Sequence, residues 1–202
     1  VASCLFEAPL TYDYLARPVR LRTQTALALP EISADFRSFT FRLRPGILFD
    51  DDPAFKGARR ELVAQDYVYT VKRFYDPRNN SENLYVFENA GLLGLAELRA
   101  QALKQRTPFD YDREVEGIRA LDRYSFRVRL AAPAPRFHYH FARPGLVGAL
   151  AREVVEHYGA DIAAHPVGTG PYRLAAWRRA SRIELVRRPG PRTIPMRRSP
   201  AL

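Results

Sequence analysis

Ser38-Phe39-Thr40-Phe41-Arg42-Leu43-Arg44 alternates strictly between polar and apolar side chains, and Pro45-Gly46 follows it. Successive strand residues point to opposite faces, so Phe39, Phe41 and Leu43 share one side. The pattern predicts a half-buried strand ending in a turn. Beyond a polar loop over 50–60, Tyr67, Val68, Val71 and Phe74 or Tyr75 recur at helical spacing. They predict a helix from about Ala64 to Tyr75 with a single apolar stripe, stopped by Asp76-Pro77.

Working outward, residues 5–12 read as a short helix or strand and 19–30 as extended or irregular chain. Residues 79–83 form a polar link, 84–87 are aromatic-rich, and 94–105 predict a second helix. Residues 115–121 and 124–130 flank a turn at Asp122-Arg123 and predict a β-hairpin, with Tyr124, Phe126, Val128 and Leu130 on one face. Residues 136–143 have helical character, and 146–158 predict a longer helix closed by Gly159. A turn-rich stretch at 165–170 leads to a second hairpin, 172–177 with 182–186. Short strands, helices and hairpins without regular strand-helix-strand units indicate a mixed α/β, α+β-like fold.

The chain has 202 residues, 47% of them hydrophobic and 12% aromatic, which suits one folded domain or a little more. No apolar run is long enough to predict a membrane-spanning helix. The chain begins at Val1, its only Met is Met196, and no basic-then-apolar leader is visible. A single cysteine, Cys4, excludes an internal disulfide framework. The net charge is +10, but eight arginines and one acid put +7 into residues 178–202 and leave only +3 for the rest. That distribution weakens a nucleic-acid or anionic-surface reading, which would rest on the Arg-rich tail. Residues 187–202, with four prolines and no periodicity, read as a disordered tail.

The chemistry-bearing motifs are sparse. Gly168-Thr169-Gly170-Pro171-Tyr172 lacks the spacing and the Lys-Ser/Thr pair of a phosphate loop. It reads as a tight turn feeding a strand, where glycine allows positive φ or close approach. His138 and His140 have no third ligand nearby, so no metal site is indicated. Asp50-Asp51-Asp52 lacks the alternating spacing of a calcium loop and reads as a solvated turn. No nucleophile elbow or Cys-His pair supports catalysis. Tyr67, Tyr69 and Phe74 read as helix packing rather than a stacking platform for bases.

Four stretches, in order, resemble the family 5 extracellular solute-binding proteins of bacterial ABC importers. SFTFRLRPG (38–46) with QDYVYTVKRFYDP (65–77) resembles the family's strand and acid-led helix. VEGIRALDRYSFRVRL (115–130) resembles its hairpin, and Pro166–Tyr172 with Trp177 and 182–186 resembles its "P-V-G-T-G-P-Y…W…I-x-L-x-R-N-P" run. The resemblance covers about residues 5–188 and then departs at Arg188-Pro189-Gly190. It implies the first-lobe portion of a two-lobed periplasmic-binding-protein fold, truncated at both ends. Residues 1–165 would be the first-lobe N-terminal segment and small subdomain, 166–186 the hairpin re-entering the larger first-lobe sheet, and 187–202 the tail. It further implies a non-enzymatic, monomeric periplasmic receptor without cofactor or nucleic acid. That receptor would take a peptide ligand and deliver it to permease subunits of the inner membrane. Receptors resembling these are also known for haem, nickel chelates and sugars. The family's ligand-facing aromatic falls near Tyr85, while Asp66, Gly168, Thr169, Gly170, Tyr172 and Trp177 would be structural.

Overall fold

Phe39 and Phe41 are fully buried, as their alternation requires, and their strand lies inside a four-stranded antiparallel sheet. The computed structural model describes residues 1–188. In chain order its elements begin with α1 (Ala2–Leu5), β1 (Leu10–Asp13), β2 (Arg20–Thr23), β3 (Glu31–Ile32), β4 (Ser38–Arg42) and α2 (Ala64–Tyr75). Next come α3 (Leu84–Ala90), α4 (Leu95–Gln105), β5 (Ile118–Ala120) and β6 (Ser125–Arg129). Then follow α5 (Pro144–Val147), α6 (Arg152–Tyr158), β7 (Tyr172–Arg178) and β8 (Arg182–Arg187). The central sheet runs β3-β4-β6-β5, while β1-β2 and β7-β8 are separate antiparallel pairs.

The register sets Phe41 opposite Phe126 and Phe39 opposite Val128, so one sheet face is continuous and apolar. The rings of Phe41 and Phe126 stack at 4.9 Å, and Tyr67 of α2 stacks on Phe126 at 5.4 Å. Phe141, from the 3-10 turn Phe137–Ala142, covers Phe41 at 4.6 Å. Helix α2 thus lies on the sheet as the second layer of the core. The hydroxyl of Tyr67 donates to the Glu7 carbonyl (3.1 Å) and lies 2.6 Å from Thr25 Oγ1, which ties the N-terminal segment to α2.

The predicted helix Ala64–Tyr75 forms over those residues, but not with a single apolar stripe. Asp66, Thr70 and Lys72 are as buried as Val68 and Val71, because sheet, α4 and α5 surround the helix. Lys72 is accommodated by donating to the carbonyls of Tyr111 (2.9 Å) and Arg113 (2.7 Å). Burial in turn pushes its ammonium below the usual lysine range, with Asp110, Asp112 and Glu114 pulling the other way.

The predicted helix over 146–158 is two helices. The N–H of Gly148 closes the first by bonding Pro144 O (2.9 Å), and the chain then runs extended. The N–H of Leu150 leaves helical bonding to donate to Thr70 Oγ1 of α2 at 2.9 Å. Gly159 ends α6 at φ +52°, the terminator its position predicts. Asp50-Asp51-Asp52 is more than a solvated turn. Asp52 accepts from the Ala54 N–H (2.9 Å) and the Tyr158 hydroxyl (3.1 Å), and Asp50 pairs with Arg188 at 3.0 Å. The second hairpin forms and extends through Arg187, one residue into the stretch read as tail. Arg188 is also fixed, and the remainder of that reading, 189–202, lies outside the described residues.

Candidate functional site

The end of α2 and the chain that follows it form one wall of a groove. Thr70, Arg73 and Phe74 project from the helix, and Asn79 and Ser81 follow in the link. The opposite wall is α5 with its extension, through Leu146 and Leu150, and Phe6 closes one end. The space between these walls has a volume of about 320 Å³. A second chamber of about 300 Å³ adjoins it, lined by Val154, Val155, Ile162 and Val167. Phe6, Arg73 and Leu150 line both chambers, and Arg73 is the only charged residue lining either among the described residues.

The link is held rigidly by Asp76. This buried carboxylate accepts from the Arg78 N–H (3.0 Å), the Arg78 guanidinium (2.9 Å) and the Tyr111 hydroxyl (2.7 Å). Burial opposes ionisation, but these donors together hold the Asp76 carboxyl below its usual range. Asn79 Nδ2 donates to the Arg73 carbonyl (2.8 Å), and Asn80 turns the chain at φ +41°. Asparagine tolerates that left-handed conformation better than most residues. Asn79 is therefore positioned by turn chemistry, while Thr70 and Arg73 are positioned by the packed helix α2.

Asp66 anchors the other end of α2. Its carboxylate accepts from the Val63 N–H at 2.8 Å and from Arg60 at 2.6 and 3.1 Å, while Arg60 also pairs with Glu153 of α6 at 2.9 Å. Val63 has no side-chain oxygen to return the cap, so the helix start is satisfied by Asp66 at the Val63 N–H and by the Arg123 carbonyl, which accepts from the Ala64 N–H at 2.9 Å. Burial pushes the Asp66 carboxyl up, with Arg60 and the Val63 N–H pulling against it.

Gly168 and Gly170 pack their backbone onto the N-terminal segment. A Cβ on Gly168 would sit 2.1 Å from the Leu5 carbonyl oxygen, and one on Gly170 would sit 2.4 Å from that of Cys4. Of the two roles open to these glycines, close approach is the one in use, since neither is among the positive-φ glycines. The N–H of Gly170 bonds Leu5 O at 2.9 Å, and Thr169 is buried between them. Arg188 closes the crossing by donating to the carbonyls of Gly168 (3.3 Å) and Gly170 (3.2 Å). Tyr172 and Trp177 lie on β7. The register shift between Leu174 and Ala176 sets Trp177 opposite Ile183, with all three rings or side chains partly exposed.

Tyr85 is not on a loop. It occupies the first turn of α3, 59% exposed, because Asn83-Leu84 already begins the helix. The buried ring of Phe87, two residues on, meets Phe74 at 4.9 Å. Tyr85 stands four residues beyond Ser81 and outside the groove lining. Arg73, Ser81, Phe6 and Leu150 escape sequence reading, because they converge from three separate segments. The one local signal was the polar Asn-Ser link behind the helix stop.

The other depressions offer less. A wider one of about 730 Å³ runs past Gly46, Arg59, Arg60 and Arg123, but Arg60 is engaged by Asp66 and Glu153, and Arg123 by Glu61. No cluster of three metal-ligating side chains occurs among the described residues, and no described helix is long and apolar enough to cross a membrane. His138 and His140 lie on one 3-10 turn, where burial lowers both imidazoles' proton affinity.

Residues 21–190 match the family model described as bacterial extracellular solute-binding proteins, family 5. The glutathione-binding protein of Pectobacterium atrosepticum is 27% identical over 155 residues, covering 77% of this chain and 24% of that protein. The periplasmic oligopeptide-binding protein of Salmonella typhimurium is 27% identical over 191 residues, 94% of this chain and 31% of its own length. Among solved structures, Haemophilus influenzae OppA, in complex with RPPGFSPFR, superposes with a TM-score of 0.71 at 24% identity. That match covers 92% of this chain and 33% of the other. The murein tripeptide binding protein of Escherichia coli gives a TM-score of 0.70 at 23% identity, over 92% and 32%. The chain therefore spans about a quarter to a third of these relatives' length, and its mixed fold is part of their two-lobed architecture. By the match of most of its length, the chain belongs to the family 5 bacterial extracellular solute-binding proteins.

Proposed function

We propose that a receptor containing these residues is the substrate-binding component of an ABC importer. It would capture dipeptides or oligopeptides in the periplasm and deliver them to permease subunits in the inner membrane. The observation that carries this reading is family membership across residues 21–190, joined to relatives named for binding glutathione and oligopeptides. The role is binding, not catalysis: lobes close on a ligand whose main chain is gripped by hydrogen bonds. Within it, residues 1–165 act as the N-terminal segment and small subdomain, and 166–186 return the chain to the larger sheet. Asp66 and the Gly168–Gly170 crossing are scaffold, as are Tyr172 and Trp177 on the hairpin.

Tyr85 is the proposed ligand contact. Its exposure, on a helix start that follows a rigid link, suits a ring presented to a ligand between lobes. In a two-lobed receptor carrying these residues, Tyr85→Ala should weaken peptide binding by about 1–2 kcal/mol, with an unchanged melting temperature. A fall in stability without loss of affinity would make Tyr85 scaffold. Failure of the unsubstituted receptor to bind any of a mixed peptide library would overturn the peptide reading itself.

A further inference from the structure

The face of the central sheet turned away from α2 carries four arginines. Alternation along the strands puts Arg42 of β4, Arg127 and Arg129 of β6 and Arg119 of β5 on the side opposite Phe41, Phe126 and Val128, together with Thr40. The outer two arginines have counter-charges: Arg42 pairs with Glu31 at 2.8 Å and Arg129 with Glu116 at 2.7 Å. The inner two have none. Arg119 and Arg127 are directly opposed across β5 and β6, a register that sets their Cβ atoms about 5 Å apart. Neither pairs with a carboxylate among the described residues. Like charges facing each other across strands destabilise a sheet. Arg127 is moreover half-buried, and its Nε is shut off from solvent without a hydrogen-bond partner. That desolvation cost is offset by nothing among the described residues.

The missing counter-charge has a definite chemistry. Two guanidiniums side by side present two forks to one acceptor. A single carboxylate fills one fork, whereas a phosphate monoester has three terminal oxygens and close to two negative charges near neutral pH, and meets both. Thr40, paired with Arg127 on its other side, adds a hydroxyl. Four arginines against Glu31 and Glu116 leave this face at a net +2, which one such group balances. The same two glutamates are exposed and flank the pair, so they repel an extended anionic surface such as a bilayer or a nucleic-acid backbone.

We propose that Arg119 and Arg127 form an anion site that clamps the phosphate monoester group of a small molecule on the outer face of the sheet, with Thr40 as a further donor. The site is separate from the groove and independent of the peptide reading.

The test titrates the 202-residue chain, with nitrogen-15-labelled arginine side chains, at fixed ionic strength and about pH 7.5, where a monoester is dianionic. The probes are phenyl phosphate and, as a monoanion of similar shape, benzenesulfonate. Phenyl phosphate should bind saturably and at least ~10-fold more tightly than benzenesulfonate. Arg119→Gln and Arg127→Gln should each weaken it at least ~10-fold, and Arg119→Lys should keep part of the affinity. Equal binding of the two probes, or no saturation up to their solubility limit, would overturn the site. Undiminished binding by the Arg119→Gln/Arg127→Gln double variant would place the anion on arginines elsewhere and overturn it too. Vesicles of phosphatidate in phosphatidylcholine carry the same group on a surface and should bind no more tightly per headgroup than phenyl phosphate. Much tighter binding there, lost in the double variant, would replace the small molecule with a lipid and overturn the proposal as stated. Should Arg127→Gln not fold, Arg119→Glu sets a carboxylate against Arg127. It should abolish phenyl phosphate binding and raise the melting temperature in phosphate-free buffer, since an ion pair replaces a like-charge pair. Binding retained by that variant would overturn the proposal.

Discussion

Asp66 serves two purposes with one carboxylate: it caps the start of α2 and neutralises Arg60, which in turn reaches Glu153 on α6. Removing it leaves a mostly buried guanidinium with one partly exposed partner and an orphaned N–H at Val63. Asp66→Ala should therefore cost about 2–4 kcal/mol in urea unfolding, and an unchanged midpoint would mean that the pair contributes nothing net. Asp76 makes the pH-dependent counterpart. Its folded-state carboxyl is held below the unfolded value of about 3.9, so its stabilisation is fully present above that pH. It is lost as pH falls through the folded value. Asp76→Asn should melt lower at pH 7 and show a shallower fall in melting temperature on acidification below about pH 4. Parallel acid limbs for the two proteins would assign the acid loss to other groups. The sequence marked Asp76 only as part of a helix stop. Its bond to Tyr111, 35 residues away, carries no local signal.

The elements divide by the kind of force that specifies them. Strand β4, helix α2 and the hairpin β5-β6 were legible because their apolar spacing matches a face that the fold does bury, and Phe41 meets Phe126 as the alternation requires. The split of 146–158 was not legible, since it depends on a tertiary bond from Leu150 to Thr70 that competes with helix continuation. The full burial of α2 was likewise hidden: polar residues read as an exposed face, yet Thr70 and Lys72 find backbone partners inside. The Gly168–Gly170 motif was visible as a turn, while the reason for its glycines lies in residues 4 and 5 at the other end of the chain. Of the candidate site, the polar link was legible but the groove was not, and Tyr85, the ligand contact that the resemblance implies, lies outside the groove lining. Val71 tests the packing of α2 directly, because it is fully buried. Val71→Asp should destabilise by roughly 4 kcal/mol or more through a buried unpaired charge. A native-like melting curve would mean that this helix face reaches solvent.

Across the whole molecule, the groove is walled by α2 and its link, by α5 and by the N-terminal residues, and it is open to solvent on one side. Relatives about three times as long share this fold, so the chain corresponds to one part of a two-lobed architecture. In the proposed two-lobed receptor, affinity would come from burying a ligand on both sides, after the cost of immobilising it has been met. Here a ligand would gain one apolar wall and one guanidinium, with its remaining surface in water. The hairpin β7-β8 also leaves Tyr172, Trp177 and Ile183 partly exposed, with the Arg179 guanidinium 5.6 Å over the Trp177 ring. Calorimetry of the 202-residue chain against a mixed peptide library should therefore show no affinity tighter than roughly millimolar, about −4 kcal/mol. A reproducible micromolar titration would show that this part alone grips a peptide, and that the second lobe adds selectivity or signalling rather than the binding energy itself.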